Sequence, residues 1–279
     1  MPSGLDIPDL DRHLHELEER SYTVIPDYLD RDTTAAIRAH VDALVDANLP
    51  AVDSAWTDTD KPRIIVNEER GIRQLRHPIP GEIMPRIAND PRTIELGRLL
   101  LGSHLADLRM REQVLSRTDP TPGPYGPSGW HIDAPFTEEE YQATPRLIYY
   151  QMLHYCSTVE PGGAAFMLVP GSHQLAYAAN AGARTEAERQ QLQKDPIGVA
   201  GIDPADGIEI CGQDGDLIVF NAMCLHSASK NQRAESRYVY FTSFYDAAAE
   251  WLVDFVRKTK YRDGFPDSLR EGLPEDLRH

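Results

Sequence analysis

Hydrophobic and polar residues follow two different periods along the chain, and the change falls near residue 105. Before it, apolar residues recur every three or four positions, which is the period of an α-helix packed on one face. One early extended run, 21–29, interrupts these helices. Asp30 or Asp32 is a candidate N-cap, and Gly102 is a candidate helix stop. The predicted helices are centred on Leu10–Leu17, 30–47 and 89–102.

After residue 105, short runs rich in β-branched and aromatic residues alternate with Pro- and Gly-containing turns. Several short strands at this spacing predict an antiparallel sandwich or barrel. The segment 175–194 breaks the pattern with Ala, Gln and Glu, so we expect a helical or mobile lid inserted between strands. We predict one domain with a mostly helical support (1–104), a β core (105–246) and a C-terminal helix and tail (247–279).

Composition narrows the class of protein. The chain has 279 residues, of which 41% are hydrophobic and 26% charged, as in an ordinary globular protein. Its 28 Lys and Arg against 44 Asp and Glu give a net charge of -16, which repels polyanions, so we expect no nucleic-acid partner. No run approaches the roughly 20 apolar residues of a membrane helix, and the acidic N-terminus lacks the apolar core of a secretory leader. We therefore predict a cytoplasmic protein without membrane contact, and the sequence indicates no oligomeric state.

Candidate metal ligands lie in two separate segments. His131 and Asp133 are two residues apart in an extended stretch, so their side chains point to the same side. Such a pair is weak evidence alone, because a chain with 10 His carries one by chance. His226 ends a second apolar strand and can meet the first pair across a sheet. Two imidazoles and one carboxylate form the facial arrangement that holds non-haem Fe(II).

Arg237 follows His226 by 11 residues, early in the last predicted strand. A buried guanidinium grips a carboxylate through two parallel hydrogen bonds, which lysine cannot do. This suits a dicarboxylate cosubstrate. If 2-oxoglutarate chelates the iron through its keto acid end, Arg237 can anchor the far carboxylate, and one metal position is left for dioxygen.

The order of these motifs resembles one enzyme family. His131, Asp133, the VPGSH segment at 169–173, His226 and Arg237 occur as in the phytanoyl-CoA dioxygenase-like enzymes, over roughly residues 105–246. The resemblance implies a mainly β fold with flanking helices and a double-stranded β-helix core, a cupin-like jelly roll. It implies Fe(II), 2-oxoglutarate and dioxygen as cofactor and cosubstrates. The implied reaction is hydroxylation, desaturation or oxidative cyclisation at an unactivated C–H bond.

Phytanoyl-CoA itself is not implied as the substrate, because members of this family act on many small metabolites, natural-product intermediates among them. Retention of Asp133 points to oxygen chemistry, since relatives that halogenate have a small residue at that position. In the VPGSH segment we interpret Gly171 as a turn residue and His173 as a packing residue rather than a ligand.

The resemblance also suggests further cosubstrate contacts. Several relatives carry a serine two residues after the distal histidine, whereas this chain has Ala228 there, flanked by Ser227 and Ser229. Either hydroxyl can substitute, or neither, and we assign Ser229. Gln113 lies on the strand before the metal motif, where related enzymes present a polar contact, and we assign it to 2-oxoglutarate as well.

Three aromatic residues are candidates for the substrate pocket. Trp130 and Phe136 flank the metal motif. Tyr149 and Tyr150 lie on an alternating strand, so one faces the interior and the other does not, and we assign Tyr150 to the pocket.

Two alternatives remain open from the sequence. The first is a cupin-like metal enzyme that uses no 2-oxoglutarate, which gives Arg237 no role. The second is a non-catalytic jelly-roll protein that binds a ligand, which the full set of candidate ligands disfavours.

Overall fold

Two β-sheets and the helices that flank them form the part of the chain that the structure, a computed structural model, describes: residues 7–47, 49–52, 62–76, 79–127 and 129–252. The large sheet has eight strands in the order β1-β9-β6-β11-β5-β4-β3-β2, and the small sheet has three in the order β10-β7-β8. The strands are β1 (Tyr22–Ile25), β2 (Ala51–Val52), β3 (Ile64–Asn67), β4 (Ile72–Arg76), β5 (Leu108–Thr118), β6 (Tyr150–Tyr155), β7 (Phe166–Leu168), β8 (Ile208–Ile210), β9 (Leu217–Asn221), β10 (His226–Ala228) and β11 (Arg237–Asp246).

Helices precede and interrupt the strands. Their bounds are α1 (Leu10–Arg20), α2 (Arg31–Asp46), α3 (Ile83–Ala88), α4 (Pro91–Leu101), α5 (Glu138–Gln142), α6 (Ser172–Gly182), α7 (Glu186–Lys194) and α8 (Pro196–Ala200). Three short 3-10 helices cover Glu68–Arg70, Leu105–Asp107 and Pro204–Asp206. Among the described residues, no helix combines the length and the apolar composition that crossing a bilayer demands.

Local sequence chemistry sets the ends of the predicted helices. Asp30 caps α2, where its side chain accepts a hydrogen bond of 2.7 Å from the Thr33 amide. Pro91 occupies the first position of α4, where no amide hydrogen is needed. Gly102 ends α4 in the left-handed region at φ 62°, which a residue without a Cβ adopts without strain. Both predicted boundaries are confirmed.

The two central strands of the large sheet place alternate residues on opposite faces. Every second residue of β5 from Glu112 to Thr118, and of β11 from Arg237 to Phe241, lines the interior between the sheets. The register of β5 against β11 then shifts: Ser243 is opposite Glu112, but Phe244 is opposite Met110. The residue between them, Arg111, is therefore the extra residue of a β-bulge.

The observed elements extend the sequence-based picture in two places. β3 and β4 extend the large sheet, although they lie in the part of the chain expected to be helical. The sequence did not indicate these two strands, because their short, charged runs carry no alternating pattern. The segment 175–194 is helical, as expected, and contributes to α6 and α7. The predicted C-terminal helix and tail lies outside the described residues beyond Leu252.

Gly97 is the point of closest approach between α4 and β11. A Cβ at this position would lie 2.7 Å from Cδ2 of the buried Phe244 ring. We expect Gly97→Ala to lower the free energy of unfolding by about 1–3 kcal/mol, because the packed ring cannot move away. Urea denaturation measures this change.

The matched control is Gly182→Ala at the end of α6, where an added Cβ meets no atom within 4 Å. This variant should keep its stability or gain up to about 1 kcal/mol from helix propensity. Equal stability of the two variants would contradict the packing argument.

Candidate active site

A cavity of about 1010 Å³ lies between the two sheets. The large sheet contributes side chains from β3, β4, β5, β6, β9 and β11, and the small sheet contributes side chains from β7 and β10. Residues 131–135, which follow the Pro- and Gly-rich approach, form part of the wall. All the polar groups described next face this one space or support a group that does.

Backbone pairing brings the first two candidate ligands together. The amide of His131 donates to the carbonyl of His226 at 3.0 Å, and the amide of His226 donates back at 2.9 Å. This two-way bridge adds the segment around His131 to the small sheet beside β10. Residues that face each other in such a pair project their side chains to the same side, and the two imidazole centroids are 4.2 Å apart.

Asp133 completes a compact group of donor atoms. One atom each from His131, Asp133 and His226 lies within 4.8 Å of the others. Oδ1 of Asp133 is 3.6 Å from Nε2 of His226 and 3.9 Å from Nε2 of His131. The amide of Asp133 donates to the Ala222 carbonyl at 2.9 Å, which ties this residue to the loop after β9.

Nδ1 of each of the two imidazole rings already has a hydrogen-bond acceptor. Nδ1 of His226 lies 2.8 Å from the Cys224 carbonyl, and Nδ1 of His131 lies 3.1 Å from the Gly129 carbonyl. A carbonyl only accepts, so each Nδ1 carries the proton and each Nε2 keeps a free lone pair. This is the tautomer that binds a metal through Nε2.

The electrostatics of the group also suit a cation. Burial, and secondarily the neighbouring His131, lower the pKa of His226 to about 4, although Asp133 acts in the opposite direction. Burial alone would raise the pKa of Asp133, but the charges around it, led by His226 and His131, bring that pKa below its ordinary value. At neutral pH His226 is neutral and Asp133 is ionised, which are the forms that metal ligands need.

A side-chain amide fixes the second oxygen of Asp133. Nε2 of Gln151 donates to Oδ2 of Asp133 at 2.9 Å and to Oε1 of Glu112 at 3.0 Å. From α7, Nε2 of Gln193 donates to the Asp133 carbonyl at 3.1 Å. Oδ1 is thereby turned toward the two histidines.

Arg237 lies in the same cavity with only 7% of its surface exposed. Its guanidinium is 5.4 Å from the centroid of the Tyr155 ring, and Nε donates to no acceptor among the described residues. No carboxylate in the described part of the chain forms an ion pair with the Arg237 guanidinium. Because burying a charged guanidinium without a counter-ion is costly, Arg237 is suited to an anionic ligand.

Comparison with known proteins identifies the family of this sequence. The family model described as Phytanoyl-CoA dioxygenase (PhyH) matches residues 17–239. The chain belongs to the phytanoyl-CoA dioxygenase family. An ectoine dioxygenase of Stutzerimonas stutzeri (strain A1501) is 27% identical over 283 residues, which cover 95% of this chain and 86% of that protein. The predicted family and the enzyme class, a dioxygenase, are thus confirmed.

Solved structures confirm the predicted jelly-roll fold. The epimerase SnoN from nogalamycin biosynthesis superposes with a TM-score of 0.60 at 18% identity, covering 88% of this chain and 89% of its own. HygX from Streptomyces hygroscopicus, with nickel and 2-oxoglutarate bound, gives a TM-score of 0.57 at 15% identity over 84% and 86% of the two chains. The carbocyclase SnoK gives 0.58 at 16% identity over 85% and 83%.

The two polar residues assigned to 2-oxoglutarate besides Arg237 lie in different places. Gln113 does not line the cavity, and its Nε2 donates to the Tyr240 hydroxyl at 3.0 Å. The cause is strand alternation, because its neighbours Glu112 and Val114 occupy the inward face of β5. Ser229 lines the cavity, and its contact with 2-oxoglutarate stays a prediction.

The three aromatic residues assigned to the pocket do not line the cavity either. Tyr150 points to the opposite face of β6, where its hydroxyl contacts Arg146, and Tyr149 faces the interior instead. Phe136 is buried behind Tyr149, with ring centroids 5.2 Å apart. Trp130 packs over Gly207 outside the cavity wall.

Three polar residues that line the cavity were not indicated by the sequence, because nothing there marks them as different from other polar strand residues: Arg111, Glu112 and Gln151.

Gln151 provides a test of how the carboxylate is held. We expect Gln151→Leu to weaken binding of Fe(II) or Ni(II) by about 10- to 100-fold, because Oδ2 of Asp133 loses its donor. Calorimetric titration of the apoprotein with Ni(II) measures the affinity. Gln74→Leu, which changes another cavity-lining glutamine, is the control. Equal nickel affinity in all three proteins would exclude this role for Gln151.

Proposed function

We propose that this protein is an Fe(II)- and 2-oxoglutarate-dependent dioxygenase that oxidises an unactivated C–H bond of a small metabolite, with hydroxylation as the principal outcome. One observation carries the proposal: three side chains with donor atoms suited to a metal ion, and a buried arginine without a carboxylate partner in the described residues, face a single cavity. Membership of the dioxygenase family supports the same activity.

The donor set fits ferrous iron. His131, Asp133 and His226 would hold the ion on one face, through two neutral imidazoles and one carboxylate. The remaining coordination positions are then available to 2-oxoglutarate and dioxygen. HygX binds nickel and 2-oxoglutarate, and SnoN binds Fe3+ and alpha ketoglutarate, which supports this cofactor pair for a protein of the same fold.

Arg237 fits the far carboxylate of 2-oxoglutarate, since its planar guanidinium can donate two parallel hydrogen bonds. Ser229 lines the same cavity and is proposed as a second contact. When bound, iron and 2-oxoglutarate use dioxygen to remove hydrogen from an unactivated carbon, with succinate and carbon dioxide as by-products. A cupin-like enzyme without a keto acid would leave the buried Arg237 unexplained.

The chain's own residues position the reactants and keep water out. Phe220 and Phe166 pack beside His226, with ring centroids 5.0 and 5.6 Å away, and shield that side of the site. The face of α7 that carries Glu186, Arg189 and Gln193 lines the other side. We propose that the segment 175–194 is the gate for substrate, because α7 both lines the cavity and contacts Asp133.

A small molecule is the substrate class that relatives support. One HygX structure contains hygromycin B, and one SnoN structure contains nogalamycin RO. Proteins with this fold are also named as an epimerase and a carbocyclase, so the fold serves outcomes other than hydroxylation. The cytoplasmic location and the lack of a nucleic-acid partner stay predictions from the acidic composition.

The metal assignment is tested by anaerobic titration of Fe(II) and 2-oxoglutarate into the apoprotein. We expect the metal-to-ligand absorption band of a chelated keto acid in the wild type. His226→Ala should lose both metal binding and succinate formation, because one of three ligands is gone. His104→Ala, which changes an exposed histidine, should match the wild type. Iron binding that survives in His226→Ala would refute the ligand assignment.

The cosubstrate assignment is tested separately. Arg237→Gln should keep its affinity for Ni(II) but need at least about 30-fold more 2-oxoglutarate for half-saturation, since a buried charge pair is lost. Arg233→Gln changes an arginine on the surface, paired with Glu160, and should leave this concentration unchanged. Unchanged 2-oxoglutarate binding in Arg237→Gln would favour an enzyme that uses no keto acid.

A further inference from the structure

The cavity contains a second buried arginine that the proposed function does not use. Arg111 is only 6% exposed and lines the same space as the candidate metal ligands. We infer that the substrate carries one carboxylate group and that Arg111 binds it. This inference rests on the proposed function, because it assigns Arg237 to 2-oxoglutarate and leaves Arg111 for the molecule that is oxidised.

A β-bulge turns Arg111 into the cavity. In a regular strand Arg111 and Glu112 would point to opposite faces. The register shift opposite Ser243 and Phe244 inserts one extra residue, and both side chains line the cavity as a result. Bulges of this kind commonly re-aim a side chain beside an active site.

Few partners satisfy the Arg111 guanidinium. Nη1 contacts Oε1 of Glu112, and the Tyr149 ring covers one face at 3.8 Å from Cζ to the ring centroid. Nε donates to no acceptor among the described residues, and neither does the buried Tyr149 hydroxyl beside it. A guanidinium has five N–H donors, and at least the Nε donor is unused at this buried position. An anionic ligand would remove that cost.

The only carboxylate that contacts Arg111 within the described residues is shared. Glu112 also accepts a hydrogen bond of 3.1 Å from Nη1 of Arg76 and one from Gln151. One carboxylate therefore faces two guanidinium groups, and these three side chains, the trio, together carry one net positive charge. Asp133 also acts electrostatically on Arg111, but it is shared with the candidate metal site. In a buried setting such a charge favours a partner of opposite sign.

Charge balance in the loaded site leads to the same result. Ferrous iron and Arg237 are neutralised by Asp133 together with the two negative charges of 2-oxoglutarate. Among the described lining residues the other charges cancel, because Arg70 and Arg189 are matched by Glu140 and Glu186. The positive charge of the trio is what remains, and a substrate with a single negative charge neutralises it.

Position and shape distinguish the two arginines. Arg237 pairs with Thr118, seven residues along β5 from Arg111. At about 3.3 Å per residue the two backbone positions are roughly 20 Å apart, so the two arginines serve different anionic groups.

A planar carboxylate matches the fork of Arg111 and carries one charge, whereas a phosphate monoester carries up to two at neutral pH and would overcompensate the trio.

The test uses the iron- and 2-oxoglutarate-loaded protein and a panel of small carboxylic acids, each paired with its own carboxamide. Responses are read as perturbation of the anaerobic absorption band and as added succinate formation in air. We expect the responding compounds to be acids, with half-maximal effects at concentrations at least about 30-fold below those of their amides. Amides that match their acids, or a panel in which no acid responds, would overturn the inference.

Arg111 variants complete the test. Arg111→Met should raise the half-maximal concentration of the responding acids at least about 30-fold, while half-saturation by 2-oxoglutarate stays within about 2-fold. Arg109→Met, on the same strand but outside the cavity lining, should not change either value. If Arg111→Met fails to fold, Arg111→Gln, which removes the charge but keeps a hydrogen-bond donor beside Glu112, is measured instead.

The outcomes separate this inference from the proposed function. If the wild type shows no absorption band with iron and 2-oxoglutarate, the proposed function fails and the inference fails with it. If the band forms in the wild type but is lost in Arg111→Met, Arg111 belongs to the cosubstrate and only the inference is overturned. If acids bind equally well to Arg111→Met and to the wild type, the substrate carboxylate is held by another residue, and the inference about Arg111 is overturned.

Discussion

The exchange of two backbone hydrogen bonds between His131 and His226 is the constraint on which the candidate site depends. These bonds attach an irregular Pro- and Gly-rich segment to the edge of the small sheet, and so bring residues almost a hundred positions apart into register. Side chains of a metal site must be held within about 0.5 Å of a productive arrangement. Backbone pairing provides that precision, whereas a free loop would not.

Around this pair, polar groups are arranged in layers. Carbonyls behind the histidines set their tautomers, and Gln151 sets the orientation of Asp133. Charged side chains then follow along the inner faces of β4 and β5. The positive groups stand at separated positions along the large sheet, and the metal ligands lie between the two sheets. The cavity therefore brings three candidate metal ligands and two buried guanidinium groups together, an arrangement suited to holding several charged reactants.

Much of this could be predicted from the sequence, and several of the failures concern which of two neighbouring strand residues faces the cavity. The spacing of His131 and Asp133 and the position of His226 at a strand end predict their convergence, since strand geometry fixes direction over short distances. Choosing the inward residue among neighbours is harder, because a one-residue error reverses the face. Gln113 and Tyr150 were assigned to the cavity for this reason. Arg111 was missed because a bulge depends on the partner strand, which local sequence does not reveal.

The bulge in β5 has a consequence for how the protein can diverge. Loss of a single residue there would restore regular alternation and turn one guanidinium away from the interior, while the pairing of Arg237 with Thr118 further along the strand would stay as it is. Insertions and deletions at this point would therefore change the cavity wall around Arg111 and leave the position of Arg237 unchanged. A short irregularity in one strand thus makes the direction of the side chain at position 111 independent of the register that places Arg237.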